Sequence, residues 1–308
     1  DLLSVARGEG ESGGARAGRV DVIEEVGLED YLPGVVAGEM YAHWPPAAHA
    51  AQAVAARSYA LNQVVRARAV GRAWDLEGST LDQAYVGASA SPAARRGVIG
   101  TRGIVLAFEG QVLRAYYSAS SGGRTAAACT LWGGAMNAAA PLQAEQVDEY
   151  AVGTPVYRWT VTRTRDDLAA RLRGWGEREG HAVRLLDELR TIEVASRSRV
   201  NKPLRYAVVD AGGAQFILSA EQMRVACNYA GAGSAVGRTL GVLSEDQRVR
   251  SGDLEFEFGA EQVRIDGRGL GHGVGLSQWS AKVMGERGIG WRAILAKFYP
   301  GAQVVRAY

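Results

Sequence analysis

Two charged side chains fall where the pattern calls for apolar ones. In Leu28-Glu-Asp-Tyr-Leu-Pro-Gly-Val-Val-Ala-Gly-Glu-Met40, the residues Leu32, Val35, Val36, Glu39 and Met40 follow the three-and-four spacing of one helix face. Glu39 therefore lies on an apolar stripe. A partly desolvated carboxyl has a raised pKa and keeps its proton near neutrality, which is what a general acid requires. A glutamate at the edge of the stripe, reaching solvent or an arginine, would show the same spacing, and with 33 acidic residues few can be catalytic. The second residue is Arg57, on the same side of an alanine-rich helix as Ala50, Ala53, Val54, Leu61 and Val64. It is either a buried partner for a carboxylate or a side chain that snorkels to water.

Two further stretches are chemically dense. Tyr116-Tyr-Ser-Ala-Ser-Ser-Gly-Gly-Arg-Thr125 crowds hydroxyl groups before two glycines that free the backbone to turn. It reads as a polar turn or as a loop that hydrogen-bonds a polyol; without a Gly-x-Ser-x-Gly elbow, a nucleophilic serine has little support. In Asp266-Gly-Arg-Gly-Leu-Gly-His-Gly-Val-Gly-Leu-Ser-Gln-Trp279, glycine recurs at every second position from Gly267 to Gly275. Extended, this segment has one bare face open to another backbone or a ligand, and Arg268, Leu270, His272 and Val274 on the other. The spacing matches neither the dinucleotide fingerprint nor a P-loop. A glycine-rich surface loop is the plainer account, against which stand the strict alternation and the single central histidine. Glu39, Arg57, the Ser118 to Thr125 loop and His272 are expected to line one groove.

The elements that must position these residues can be read in order. Residues 1 to 18, rich in glycine and charge, read as a flexible lead-in. Arg19 to Val26 alternates as a strand. The Glu39 helix tolerates Pro33 only within its first turn. Pro45-Pro46 opens a long helix over Ala47 to Arg68, and residues 71 to 97 look irregular. A hairpin follows, Gly103 to Phe108 and Gln111 to Ser118 around Glu109-Gly110.

Residues 151 to 250 read as an inserted smaller α+β lobe. It has strands near Tyr157 to Thr162, Thr191 to Ala195, Leu204 to Val209 and Gln215 to Leu218. A helix capped by Thr164 and a capping box at Ser219 to Gln222 complete it. Residues 19 to 150 and 251 to 308 then form the core. Val263 to Asp266 returns as a strand into the glycine ladder, followed by a helix through Trp279 and Met284 and a last helix from Trp291 to Phe298. Hairpins without regular strand-helix alternation predict an α+β fold, a largely antiparallel sheet carrying packed helices.

Composition narrows the function classes. Hydrophobic content of 47% and charged content of 22% over 308 residues suit a globular protein with a substantial core. A net charge of +2 without a basic run gives no case for nucleic acid. Thr125 to Ala144 has membrane-spanning length but carries glycines, Pro141, Asn137 and Gln143, and so reads as loop rather than as a helix in lipid. The chain opens at Asp1 with no signal peptide, as a processed or truncated product would, so any membrane anchor belongs to a precursor. Cys129, Cys227 and the four histidines match no zinc spacing, so neither metal nor cofactor is expected, and the thiols read as two buried ones.

Three segments taken together, Leu28 to Met40, Ala51-Gln-Ala-Val-Ala-Ala-Arg-Ser-Tyr59 and Gly267 to Trp279, resemble the SpoIID/LytB family of stage II sporulation protein D and amidase-enhancer relatives. Tyr117-Ser-Ala-Ser-Ser-Gly-Gly-Arg-Thr125 looks like the serine-glycine loop of that family. The resemblance runs in order over residues 19 to 308 and is weakest in the lobe. Leu270 stands where an aromatic is common, and Tyr117 where some relatives have histidine. The resemblance implies an exported protein of the bacterial cell envelope that works on peptidoglycan glycan strands as a lytic transglycosylase. It places the catalytic glutamate at Glu39 and substrate contacts at Arg57, Tyr117, Ser118, Ser120, Ser121, Gly122, Gly123, Thr125, His272 and Gln278. Some relatives are associated with zinc, for which this chain has no recognisable ligand set. The resemblance also leaves room for a non-catalytic wall-binding module that stimulates a cell-wall amidase. A hydrolase with two carboxylates is a third reading.

Overall fold

A computed structural model describes residues 2–6, 22–79, 82–88, 91–232 and 239–308, and has the α+β character that the sequence predicts. Eight α-helices occur among the described residues: α1 (Leu28–Glu39), α2 (Pro46–Ala69), α3 (Pro92–Gly100), α4 (Ala128–Trp132), α5 (Arg165–Glu179), α6 (Ala220–Cys227), α7 (Gln278–Glu286) and α8 (Trp291–Phe298). The chain divides into two compact units. One comprises residues 1–117, 139–142 and 275–308; the other comprises 118–138 and 143–274.

The first unit is built around α2. Pro46 at its first position sets a helical backbone angle without giving up an intrahelical bond. Small side chains then let α1, α3, α7, α8 and the strand Ile104–Phe108 all pack against it. The hydroxyl of Ser58 in mid-helix donates to the Val54 carbonyl (2.6 Å) and accepts the Leu106 N–H (2.8 Å), tying helix to strand. That strand pairs antiparallel with Gln111–Val112 and with Gln303–Arg306. Glu109 and Gly110, both at positive φ, form the tight turn expected of the hairpin.

Three expectations need correction in this unit. Leu2–Ala6 is not a loose lead-in but a strand, antiparallel to Ile23–Gly27 and parallel to Leu76–Glu77; Leu3 and Val5 are buried, which anchors it. The rest of the lead-in, Asp1 and residues 7–18, together with residues 19–21 of the expected strand, lies outside the described residues. Pro33 sits beyond the first turn of α1, which nevertheless runs on to Glu39. The stretch from 71 to 97 includes the start of α3, with Ser91 as its N-cap and Pro92 at its first position.

The second unit holds two antiparallel three-stranded sheets. Their orders are 254–258, 262–268, 158–164 and 215–219, 203–210, 189–197. Its core gathers Trp159, Leu172, Trp175, Tyr206, Val208, Met223 and Ile265. Thr164 caps α5 and the Ser219–Gln222 capping box is present, as the sequence predicts. The unit is larger than residues 151 to 250 because the serine-glycine loop and the glycine ladder pair with each other inside it, by a bridge between Ser120 and Leu270. Both cysteines lie here as free thiols. Cys227 is buried, its pKa pushed up to about 12 by burial, whereas Cys129 is exposed and so is not the buried thiol expected. No helix among the described residues is long and apolar enough to cross a membrane.

Candidate active site

Glu39 is the last residue of α1, half-buried, beside apolar neighbours in the same helix. Among the described residues, two hydrogen bonds hold its carboxyl group. The Ala84 N–H donates to Oε1 (3.1 Å) and the Gln278 side-chain amide donates to Oε2 (2.9 Å). The first bond depends on Gly38, where a Cβ would stand 2.8 Å from the Ala84 carbonyl oxygen. A glycine there lets the 82–87 segment run against the helix, close enough for its backbone to reach the carboxyl group. The second bond depends on α7, whose first residue is Gln278. The preceding Leu276 N–H donates to the Tyr116 carbonyl (3.1 Å), which also accepts the Tyr299 hydroxyl (2.5 Å), so the start of α7 is fixed.

Burial raises the Glu39 pKa, and the bonds from Gln278 and Ala84 only partly offset it. Its place at the C-terminal end of a helix, the negative end of the helix dipole, works in the same direction as burial. Among the described residues no arginine or lysine forms an ion pair with it. The result is a carboxyl group held in place yet biased toward its protonated form.

Tyr117 lies within electrostatic reach of this group. Burial raises the pKa of its hydroxyl well above the usual value and the nearby Glu39 charge adds to that, so it keeps its proton. The Tyr117 hydroxyl accepts from Gln83 (2.9 Å), whose carbonyl oxygen accepts from Tyr31 (3.3 Å). Glu39, Gln278 and Tyr117 are thus gathered in the first unit, together with the Ala84 N–H that sequence reasoning missed. The irregular look of residues 71 to 97 hid that donor, because a backbone N–H carries no residue-type signal.

Arg57 is in the same unit, but its expected contact with substrate does not fit what surrounds it. The residue is 0% exposed. Its guanidinium donates to both Glu29 oxygens (2.8 and 3.0 Å), to Thr101 and to the Val98 and Ile104 carbonyls. Every N–H finds an acceptor within the protein, so Arg57 is the buried partner for a carboxylate that its position suggested. Burial would raise the Glu29 pKa, but Arg57, Tyr308 and the Gly103 N–H together hold it below the usual value.

The remaining predicted residues belong to the second unit. The Ser121 hydroxyl donates to buried Asp148 (2.6 Å), and Thr125 donates to the Ala144 carbonyl (2.5 Å). Ser118 accepts the Gly273 N–H (3.2 Å) and Ser120 accepts the Gly122 N–H (3.3 Å). Gly122 and Gly123 turn the chain at positive φ. Beneath them the Lys202 ammonium donates to the Ser121 and Arg124 carbonyls, and Arg124 makes a bidentate pair with Asp253 (2.8 and 2.6 Å).

The glycine ladder is not extended throughout. The strand ends at Arg268, and Gly269, Gly271 and Gly273 take positive φ. A Cβ on Gly269 would fall 2.5 Å from the Ser120 carbonyl oxygen, so the bare positions do admit another backbone, that of the serine loop. His272 accepts the Val274 N–H at Nδ1 (3.0 Å) and stands edge-on to Trp132, with centroids 5.0 Å apart.

Comparison with known proteins agrees with the motifs. The model of the SpoIID family, described as stage II sporulation protein, matches residues 16–108, which include α1, Glu39 and α2. Over these residues the chain is similar to the SpoIID family. It is 26% identical to an uncharacterized protein of Brachyspira hyodysenteriae, covering 92% of this chain and 68% of that one. It is 27% identical to the amidase enhancer of Bacillus subtilis, over 88% of this chain but 39% of that protein. It is also 24% identical to stage II sporulation protein D of Bacillus subtilis, over 92% and 76% respectively.

Proposed function

We propose that this chain is a member of the SpoIID family that acts in the bacterial cell wall as a peptidoglycan lytic transglycosylase, with Glu39 as its acid and then its base. The observation that carries this reading is the Glu39 carboxyl group, held at both oxygens by neutral N–H donors and with its pKa raised by burial. Such a group donates the proton that a glycosidic oxygen needs as it leaves.

The chemistry requires one carboxyl group. Glu39 protonates the oxygen that links N-acetylmuramic acid to N-acetylglucosamine, and the C1–O bond breaks to leave an oxocarbenium-like centre. The C6 hydroxyl of the same muramic residue attacks C1, and its proton returns to the Glu39 carboxylate. The products are a free 4-hydroxyl and a 1,6-anhydro end, with no water consumed. A second carboxylate to activate water or to bind the sugar covalently is not needed, unlike in most glycosidases. Gln278 and Ala84 position the carboxyl group, and Tyr117, with its proton retained, is a neutral donor for a substrate oxygen. Peptide-free glycan strands are the preferred substrate, and the site of action is the envelope outside the cytoplasm.

The test is product analysis. Wild-type protein incubated with peptide-free glycan strands releases anhydromuramic ends, seen by mass spectrometry, and Glu39→Gln does not. Reducing ends instead of anhydro ends would make the protein a hydrolase. A second reading, a wall-binding module that stimulates an amidase, is favoured by the relative named amidase enhancer, of which this chain spans 39%. That reading gains if an amidase is accelerated equally by wild type and Glu39→Gln while neither cleaves glycan.

A further inference from the structure

The residues that follow Glu39 in the chain, and the one that follows Gln278, form an aromatic cluster that proton transfer does not use. Tyr41 lies 5.4 Å from Trp44, 5.8 Å from His43 and 6.2 Å from Trp279, measured between ring centroids. Trp44 and Trp279 meet edge to face at 4.9 Å, and the Lys282 ammonium lies 5.8 Å from the Trp279 ring centre. Trp44 is buried, whereas Tyr41 is 59% exposed. An aromatic ring left in water on a packed aromatic base is held still without being covered.

We propose that the open face of Tyr41, backed by Trp44 and Trp279, is a stacking subsite for a pyranose ring of the glycan, next to the bond that Glu39 cleaves. The proposal rests on the glycan reading of the site. One face of a β-linked N-acetyl sugar presents axial C–H groups, which pack on the face of an aromatic ring as other apolar groups do. Cα atoms two residues apart lie at most about 7 Å apart, so a sugar on Tyr41 is an immediate neighbour of the bond at Glu39 rather than a distant anchor. The cluster joins the chain just beyond α1, through Tyr41, to α7, through Trp279. A sugar seated there sets the strand's register against the carboxyl group.

Binding is measured in the Glu39→Gln background, so that nothing is consumed, by titrating a peptide-free tetrasaccharide of alternating N-acetylglucosamine and N-acetylmuramic acid. Tryptophan fluorescence and calorimetry supply the readouts. Tyr41→Ala weakens binding by about three- to tenfold, the range for one aromatic contact, while Tyr41→Phe and Tyr41→Trp bind like the parent. In the active protein Tyr41→Ala raises KM by the same factor. Equal binding and equal KM for Tyr41→Ala and its parent would overturn the subsite and leave the lytic reading standing. Absence of both tetrasaccharide binding and anhydro products in the wild type would overturn the two together.

Discussion

The two polar centres of this protein are built on opposite plans. Among the described residues of the first unit, the Glu39 carboxyl group receives two neutral N–H donors and has no cation paired with it. In the second, the serine-glycine loop sits on Lys202 and on the Arg124–Asp253 pair, and the Ser121 and Thr125 hydroxyls donate to acceptors within the unit. Neutralised networks of this kind hold a backbone in shape, whereas an uncompensated carboxyl group is a cost to the fold that makes sense as chemistry. Sequence reasoning treated both as parts of one binding surface. Under the proposed function, their wiring separates a reactive group from a scaffold.

The widest gap between the two plans should appear on substituting the acid itself. Glu39→Gln is expected to reduce anhydro-product release by about a hundred- to ten-thousandfold, since in the proposed reaction one group carries both proton transfers. The same change should stabilise the fold at neutral pH. The folded state raises the Glu39 pKa above its ordinary 4.5, so its contribution to stability is present below that value and is lost as pH rises through the folded value. The variant removes that loss, and its advantage in thermal melting should vanish at low pH. Turnover near wild type by a folded variant would remove Glu39 from the mechanism.

Buried ion pairs should give the reverse profile, a loss of stability confined to one unit. Arg124→Ala leaves Asp253 buried without its partner and is expected to cost about 3–5 kcal/mol, and Arg57→Ala a similar amount. Hydrogen exchange read segment by segment distinguishes them. Arg124→Ala should deprotect the strands 158–164 and 262–268, and Arg57→Ala should deprotect α1 and α2. The Arg57–Glu29 pair adds a pH signature. Its carboxylate is held below 4.5, so the stability it contributes is present above 4.5 and is lost as pH falls through the folded value. Equal deprotection of both units by either variant would contradict the division of the chain.

Gln278 tests whether the donors around Glu39 position it. Gln278→Ala removes a bond that lowers the Glu39 pKa, so the pKa rises further. The alkaline limb of the pH profile, where the acid loses its proton, should move to higher pH. Turnover should fall on the order of ten- to a hundredfold as the carboxyl group loses its orientation. A fall in turnover with an unmoved limb would make Gln278 a substrate contact, the role first expected of it.

Much of this was legible in the chain, and what was not has physical reasons. Leu32, Val35, Val36 and Met40 betrayed the face on which Glu39 sits, because helical periodicity is a local property. The capping box at Ser219 and the positive-φ turn at Glu109-Gly110 were legible for the same reason. Leu2–Ala6 was not, since its partners Ile23–Gly27 and Leu76–Glu77 lie far along the chain and five residues show little alternation. Arg57 was legible as a misplaced charge that could pair with a buried carboxylate, but the sequence could not say that the partner is Glu29, and the substrate contact came only with the resemblance. The Tyr41, Trp44 and Trp279 cluster was written beside Glu39 and Gln278 in plain residue types, yet no periodic pattern picks it out.

The smallest expected effect is the one that most sharpens the contrast. Ser120 is a predicted substrate contact, but its oxygen accepts the Gly122 N–H inside the loop, and the residue is buried. If the loop is scaffold, Ser120→Ala removes one neutral hydrogen bond and costs about 0.5–1.5 kcal/mol. kcat and KM on peptide-free glycan should then stay within about twofold of wild type, since such a bond touches no transition state. If the hydroxyl instead turns outward to a sugar, KM should rise by about tenfold or kcat should fall, the margin expected for a hydrogen bond to substrate. Melting and steady-state kinetics on the same preparation separate the outcomes. A kinetic defect with unchanged melting would return the serine loop to the binding surface and end the division between reactive centre and scaffold.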